Sequence, residues 1–172
     1  MKLLVTAPKF FGYEKLICKE FESRGFDVTY VDDKLKLNFI NGNHHGIQET
    51  YHPNGNIRQS VDYIDGKRVN TYKEWYPDGT LAIEAHYLNG KKEGVSEIFS
   101  LKGVVLKHLN YANDTLHGLS KSYNGKGELL SEGQFKKGKK TGIWSYYKNN
   151  KLIDKKDFTY YPKFQKSKKQ YK

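Results

Sequence analysis

The chain has 172 residues, a formal net charge of +11, 15% aromatic residues including 14 Tyr, and one cysteine. That length suits one domain, or a small cap plus an array; no 18-residue apolar run is present, so no membrane-spanning helix is expected. The lone Cys18 excludes an internal disulfide and fits a reducing cytoplasm, and the opening "MKLLVTAPKFFG" lacks the long apolar core and small-residue cleavage site of a secretory signal.

Residues 1–33 read as strand, helix, strand, a β-α-β cap. "KLLVTAP" is apolar, "YEKLICKEFESRG" is helical over roughly residues 14–24, and "FDVTYV" alternates. Tyr13, Leu16, Ile17 and Phe21 fall on one helix face, and Gly25 stands where a helix C-cap belongs. Cys18 lies in the apolar stretch and reads as a structural thiol. The loop "APKFFGY" has no G-x-G-x-x-G, so it offers no glycine cradle for phosphate. The whole stretch, with its "FFGY" loop and closing "DD", resembles the opening βαβ of bacterial glycosyltransferase-like proteins. The chain then turns to repeats at once, which suggests a unit reused as a cap.

Residues 34–158 are periodic. Gly55, Gly79, Gly103 and Gly127 recur at one constant interval, each in a turn context such as "HPNG" or "YPDG". A second column holds Gly42, Gly66, Gly90 and Gly138 with Asp114 in the remaining place; a third holds Gly46, Asn70, Gly94, Gly118 and Gly142. Two aromatic columns keep the same period: Tyr51, Trp75, Phe99, Tyr123, Tyr147, and Phe39, Tyr63, Tyr87, Tyr111, Phe135. Several columns agreeing on one period mean a repeat array. Turn residues this closely spaced mean short hairpins. Strand alternation predicts one apolar face bearing Ile47, Thr71, Val95, Leu119 and Ile143 with the first aromatic column, together with Val61, Tyr63, Leu81, Tyr87, Leu109 and Phe135. The opposite face is expected to be mixed, with Gln48, Ser60, Glu84, Ser120 and Glu132 beside Tyr72 and Tyr76. Trp75 and Phe99 should be stacked neighbours, and the N-terminal helix should cover part of the apolar face. The fifth unit loses its turn glycine and one residue in "KNNKLIDKKDF".

The lines "YLNGKKEGVSEIF" and "FKKGKKTGIWSYY" resemble the bacterial variant of the MORN repeat, and about 125 residues follow the pattern. The resemblance implies a mainly β fold: an elongated single-layer antiparallel sheet of five ~24-residue hairpin repeats behind the cap. Many bacterial members are labelled antitoxin-like (the YwqK type). Eukaryotic relatives are linked to protein scaffolding and sometimes to phospholipid contact.

Residues 159–172 form a basic aromatic tail. Neither motif nor spacing nominates a catalytic residue, a cofactor or a metal. The six His (His44, His45, His52, His86, His108, His117) show no metal-ligand spacing; Asp32, Asp33 and Asp78 are turn carboxylates; Glu74 and Glu84 suit cross-strand ion pairs better than a hydrolytic carboxylate pair. The expected role is non-enzymatic, and the repeat resemblance implies a protein-binding module, antitoxin-like or an inhibitor of a bacterial effector or nuclease, an anti-CRISPR role of a bacterial or phage protein included. Alternatives are a basic nucleic-acid-binding protein and a scaffold on anionic lipid, and self-association is a further possibility. A helix of about 11 residues is some 16 Å long, too short to cover ten strands. The uncovered end should be repeats four and five, with Tyr123, Phe135, Trp144, Tyr146 and Tyr147 as partner contacts beside Lys136, Lys137, Lys139 and Lys140.

Overall fold

The computed structural model describes residues 2–6, 19–21, 23–25, 27–31 and 35–159. Residues 1–33 contribute β1 (Lys2–Thr6) and β2 (Asp27–Val31), and the periodic region opens with β3 (Leu35–Ile40) and the short β4 (Asn43–His44). The array runs through β5 (Gly46–Tyr51), β6 (Ile57–Ile64), β7 (Lys67–Trp75), β8 (Leu81–Leu88), β9 (Lys91–Phe99) and β10 (Val105–Ala112). It ends with β11 (Thr115–Leu116), β12 (Gly118–Tyr123), β13 (Leu129–Lys136), β14 (Lys139–Lys148) and β15 (Lys151–Asp157).

All of them form one 15-stranded sheet in which neighbours in sequence are neighbours in space, with β4 and β11 as short additions on β3 and β10. β1 and β2 pair parallel and every later pairing is antiparallel. The mainly β repeat fold read from the columns is therefore the fold observed. Between β1 and β2, Lys19–Phe21 and Ser23 are helical, Arg24 pairs with Glu20, and Gly25 closes the turn at φ +80°, as its place in the sequence suggested. Tyr13, Leu16, Ile17 and Cys18, and with them the docking face of the helix, lie outside the described residues, as do Asp32, Asp33 and tail residues 160–172.

Turn chemistry explains the regularity. In Asn41-Gly42, Asp65-Gly66, Asn89-Gly90, Asn113-Asp114 and Lys137-Gly138 both residues have positive φ, the geometry of a type I′ hairpin turn whose twist matches that of strands. Asn149-Asn150 does the same for the shortened last hairpin. Each turn also rests on the one before it: Gly66 donates its amide to the His44 carbonyl, Gly90 to Arg68, Asp114 to Lys92 and Gly138 to Leu116. On the other long edge His52 Nε2 meets the Trp75 carbonyl at 2.8 Å and Tyr76 donates to the Phe99 carbonyl at 2.9 Å, again tying one repeat to the next.

The third glycine column marks a bulge. Asn70, Gly94 and Gly142 have positive φ where the registers of β6–β7, β8–β9 and β13–β14 slip. At Gly46 and Gly118 the same irregularity splits the strand, leaving β4 and β11 as separate pieces.

The registers correct the expected faces. Gln48 lies opposite Val61, Tyr72 opposite Ala85, Ser96 between Ala85 and Leu109, and Ser120 opposite Gly133. This is the buried side of the array: Gln48, Val61, Ala85, Ser96, Ser120 and Trp144 are all buried. Ile47, Leu119 and Ile143 turn to the other face and are exposed, Ile143 by 61%. The physical reason is packing room. A single-layer sheet buries a side chain by laying a large neighbour across it, so the small Ser96, Ser120, Ala85 and Gly133 occupy the sheltered places. Trp75 and Phe99 form no ring pair; they oppose Leu81 and Val105 across the strands.

Candidate docking surface

On the buried side the second aromatic column becomes a ladder interleaved with the residues that open each next strand. His44 lies between the rings of Phe39 and Tyr63, at 4.6 and 5.3 Å. One period on, the Arg68 Nε sits 3.4 Å from the Tyr63 hydroxyl, and its guanidinium lies 5.5 Å from the Tyr87 ring. Lys92 stands 5.2 Å from the Tyr111 ring. Leu116 takes the place in the fourth unit. In the fifth, the Lys140 ammonium is 4.0 Å from Trp144, 5.3 Å from Phe158 and 5.5 Å from Tyr146, whose hydroxyl accepts from it at 3.2 Å. Cation–π attraction holds each cationic side chain along its ring. The hydrogen bond to Tyr63 raises the Arg68 pKa further, keeping it charged.

The opposite face carries a row of ionic and polar side chains running straight across the strands. In register these are Lys36, Glu49, Ser60, Lys73, Glu84, Glu97, His108, Lys121, Glu132, Ser145 and Lys155. Four pairs close along it: Lys36–Glu49 at 3.3 Å, Lys73–Glu84 at 3.6 Å, His108–Glu97 at 2.9 Å and Lys121–Glu132 at 3.3 Å. Glu84 thus forms the cross-strand pair the sequence suggested. Glu74 is on the ladder face instead, accepting from Tyr72 at 2.7 Å, and burial followed by that bond pushes the Tyr72 hydroxyl well above its ordinary range. The two carboxylates cannot work together on a substrate.

The expected contacts divide between the faces. Phe135 meets Trp144 edge-on at 5.1 Å on the ladder side. Trp144 is only 4% exposed, its indole donating to the Gln134 carbonyl at 3.1 Å. Tyr146 shares that side with Lys140. Tyr147 is on the ionic side and donates to Glu132 at 2.8 Å, a bond that raises its pKa. Tyr123 ends β12 opposite Leu129, half-buried. Lys136, Lys137, Lys139 and Lys140 gather with Thr141 and Phe158 around an open cleft of about 810 Å³. The sequence reading did not single out Phe158, which is 38% exposed and stands just after the last strand, where the second aromatic column next falls once the residue lost in the fifth unit is counted; its place beside Lys140 depends on how β15 folds back. Among the described residues no group of three or more His, Cys, Asp and Glu could hold a metal ion. No helix among them is long and apolar enough to cross a membrane.

The family described as the MORN repeat variant matches three segments, residues 45–65, 68–89 and 116–137. No curated protein sequence matches. Among solved structures, a chain of the Glycosylation Associate Protein complex from Streptococcus agalactiae is similar at 16% identity and a TM-score of 0.36, over 59% of this chain and 19% of that one. A TarM mutant from S. aureus, solved with Fondaparinux, alpha-GlcNAc-glycerol and UDP, is similar at 10% identity and a TM-score of 0.39, over 81% of this chain and 33% of that one. The chain thus spans a third or less of the length of either. MORN repeats are generally protein- or membrane-binding modules and typically non-catalytic. Three segments of the chain thus match the MORN repeat variant, and the hairpins between them keep the same period.

Proposed function

We propose that the chain is a non-enzymatic protein-binding module, antitoxin-like or an inhibitor of a bacterial effector or nuclease, and that it docks through its last hairpins. The observation that carries this reading is the concentration of exposed apolar side chains there. Leu130, Ile143, Leu152, Ile153 and Phe158 are all exposed within β13, β14, β15 and the residue after them, against a background in which exposed aliphatics are otherwise scattered singly. Ile143 and Leu152 lie on the ionic face and Phe158 on the ladder face beside the lysines, so these groups suit a partner that clasps the terminal edge of the sheet, with apolar contacts and an acidic rim. Lys136, Lys137 and Lys139 would supply the attraction, and Tyr146 and Phe158 flat, stiff contact area. Trp144, being covered, would act from behind by holding Lys140 in place, while Phe135, Tyr123 and Tyr147 would frame the patch.

The test compares partner capture by the wild-type chain with capture by Ile143→Ser/Phe158→Ser. Both positions are exposed, so the variant should fold. A protein retained in high salt by the wild type and lost by the variant supports the reading. Equal capture by both, or binding abolished by nuclease treatment, refutes it.

A further inference from the structure

We propose that the long edge formed by the type I′ turns is a second binding surface, meeting the docking surface only at Lys139 and Lys140: a cationic rail that takes single-stranded nucleic acid by its phosphate backbone. At each occupied rung two adjacent cations open a strand: Lys67 and Arg68, Lys91 and Lys92, Lys139 and Lys140. The first of each pair is exposed; the second is half-buried along a ring of the ladder. None of these six has a carboxylate partner among the described residues, although Lys36, Lys73 and Lys121 on the ionic face all do.

The acids on this same edge are occupied otherwise. Asp114 accepts the Lys92 backbone amide at 2.7 Å, Glu93 accepts the Asn113 amide at 2.8 Å, and Asp65 faces His45 at 3.7 Å. These carboxylates are bonded to turn amides or face a histidine rather than pairing with the six cations, so the exposed Lys67, Lys91 and Lys139 ammonium groups stand without an ion pair while Arg68, Lys92 and Lys140 lie along their rings. Because the turns are bonded to one another through backbone amides, the cations stand at a fixed pitch. Two strands at about 4.8 Å give roughly 10 Å per rung.

A single file of cations one turn wide matches one phosphate strand rather than a broad duplex or a lipid plane. Beside it, the half-buried rings of Tyr63, Tyr87 and Tyr111 offer apolar edges to unstacked bases. Charge along a track with aromatics beside it is the recipe for sequence-tolerant single-strand binding. The fourth rung, Thr115-Leu116, leaves a gap in the rail.

The proposal does not rest on the protein-docking reading, and Ile143→Ser alone, on the ionic face, should leave it intact. The experiment is fluorescence anisotropy with a labelled 20-nucleotide oligo-dT across a salt series. Six phosphate contacts predict a log–log salt slope of about −4. Lys67→Glu/Lys91→Glu should weaken binding at least ~10-fold, while Lys102→Glu/Lys126→Glu, the same charge change on the opposite edge, should weaken it less than ~3-fold. In the wild-type chain, bound oligo-dT should protect Lys67 and Lys91 from acetylation more than Lys102 and Lys126, a readout that needs no variant. Equal losses from the two double variants, absence of oligo-dT binding at low salt, or competition by poly-glutamate or a 20-base-pair duplex as effective as unlabelled oligo-dT would each overturn it.

Discussion

Substituting Gly133 tests the packing logic of the sheet at its tightest point. A Cβ built there would lie 2.5 Å from Trp144 Cγ and nearer still to Cδ2 and Cε2, because the indole lies flat across the glycine backbone. The conflict is purely steric: Gly133 is absent from the positive-φ glycines, so its backbone suits any residue. In Gly133→Ala the ring must leave. An aromatic side chain buries some 150–250 Å², and exposing half of that costs about 2–3 kcal/mol at ~25 cal/mol per Å². Loss of the indole bond to the Gln134 carbonyl adds about 1 kcal/mol, and loss of the Lys140 contact at 4.0 Å adds about 0.5–1 kcal/mol. The expected destabilisation is about 4 kcal/mol. For a chain of this size that corresponds to a fall of about 8–16 °C in Tm if unfolding is cooperative, with a red shift in the tryptophan emission. Circular dichroism melting and fluorescence read both. If the variant melts within a degree or two of wild type with unchanged emission, Trp144 does not lie across Gly133 and the assignment of the buried side is wrong.

Gln48 makes the ladder bonds that β3 and β5 lack, its amide accepting from the Asn38 N–H and donating to the Asn38 carbonyl, both at 2.8 Å. Gln48→Leu should cost about 1–3 kcal/mol by leaving a sheltered amide unpaired, with hydrogen exchange at Asn38 rising first; unchanged exchange would contradict that role. Phe99→Ala should cost less than a core phenylalanine, about 1–2 kcal/mol, since its ring is half-buried against Val105; a loss above ~4 kcal/mol in denaturant titration would mean the ring is enclosed. Asp78 has its pKa lowered, first by the Thr80 backbone amide, so its ionised form is favoured in the folded state. That contribution is present above the usual carboxylate range and is lost as pH falls through the depressed folded value. Asp78→Asn keeps an acceptor for the 2.8 Å turn bond. It should leave Tm at pH 7 nearly unchanged and flatten the fall in Tm at acid pH; an identical acid profile would refute the linkage.

The hairpins were legible because their turns demand rare backbone angles that only a few residues accept cheaply. Asn and Gly at positive φ, recurring once in every unit, fix strand ends and pairing order almost unaided. The faces were not legible, and the reason is local. Each unit contains irregularities, at the Gly46/Asn70/Gly94 column and again beside the longer turns, and every bulge shifts the parity by which alternate side chains are sorted. Counting in twos from Leu81 to Tyr87 therefore merged residues of opposite faces, and Ile47 and Tyr51, which do share a face, were assigned to the side of Val61 and Tyr63 instead of the ionic side. Residue type misled in the same direction. Ile47 and Ile143 look like core and are exposed, while Gln48 and Ser120 look like surface and are sheltered. The lysine group around the last turn was visible as a run of letters, but Phe158 beside it was missed, because the residue lost in the fifth unit puts it one place short of the period that the second aromatic column keeps. The pairing of Lys73, Lys121 and His108 with glutamates could be read only with the register in hand, and it is that pairing which separates the spoken-for cations from the six left over on the turn edge.

Because Gly66, Gly90, Asp114 and Gly138 each lean on the carbonyl at the same offset earlier in the chain, whatever residue carries it, a hairpin recognises its predecessor only by shape and not by identity. The chain is in this respect a tape measure graduated in whole repeats. Excising one whole graduation, such as residues 92–115, would rejoin edges that already fit, and the result should be a shorter sheet with its two ends unchanged. Excising half a graduation would bring unlike turns together and leave no such fit. Length is therefore a quantity that duplication and loss could adjust in whole steps, setting the separation between the cap and the last hairpins without touching either.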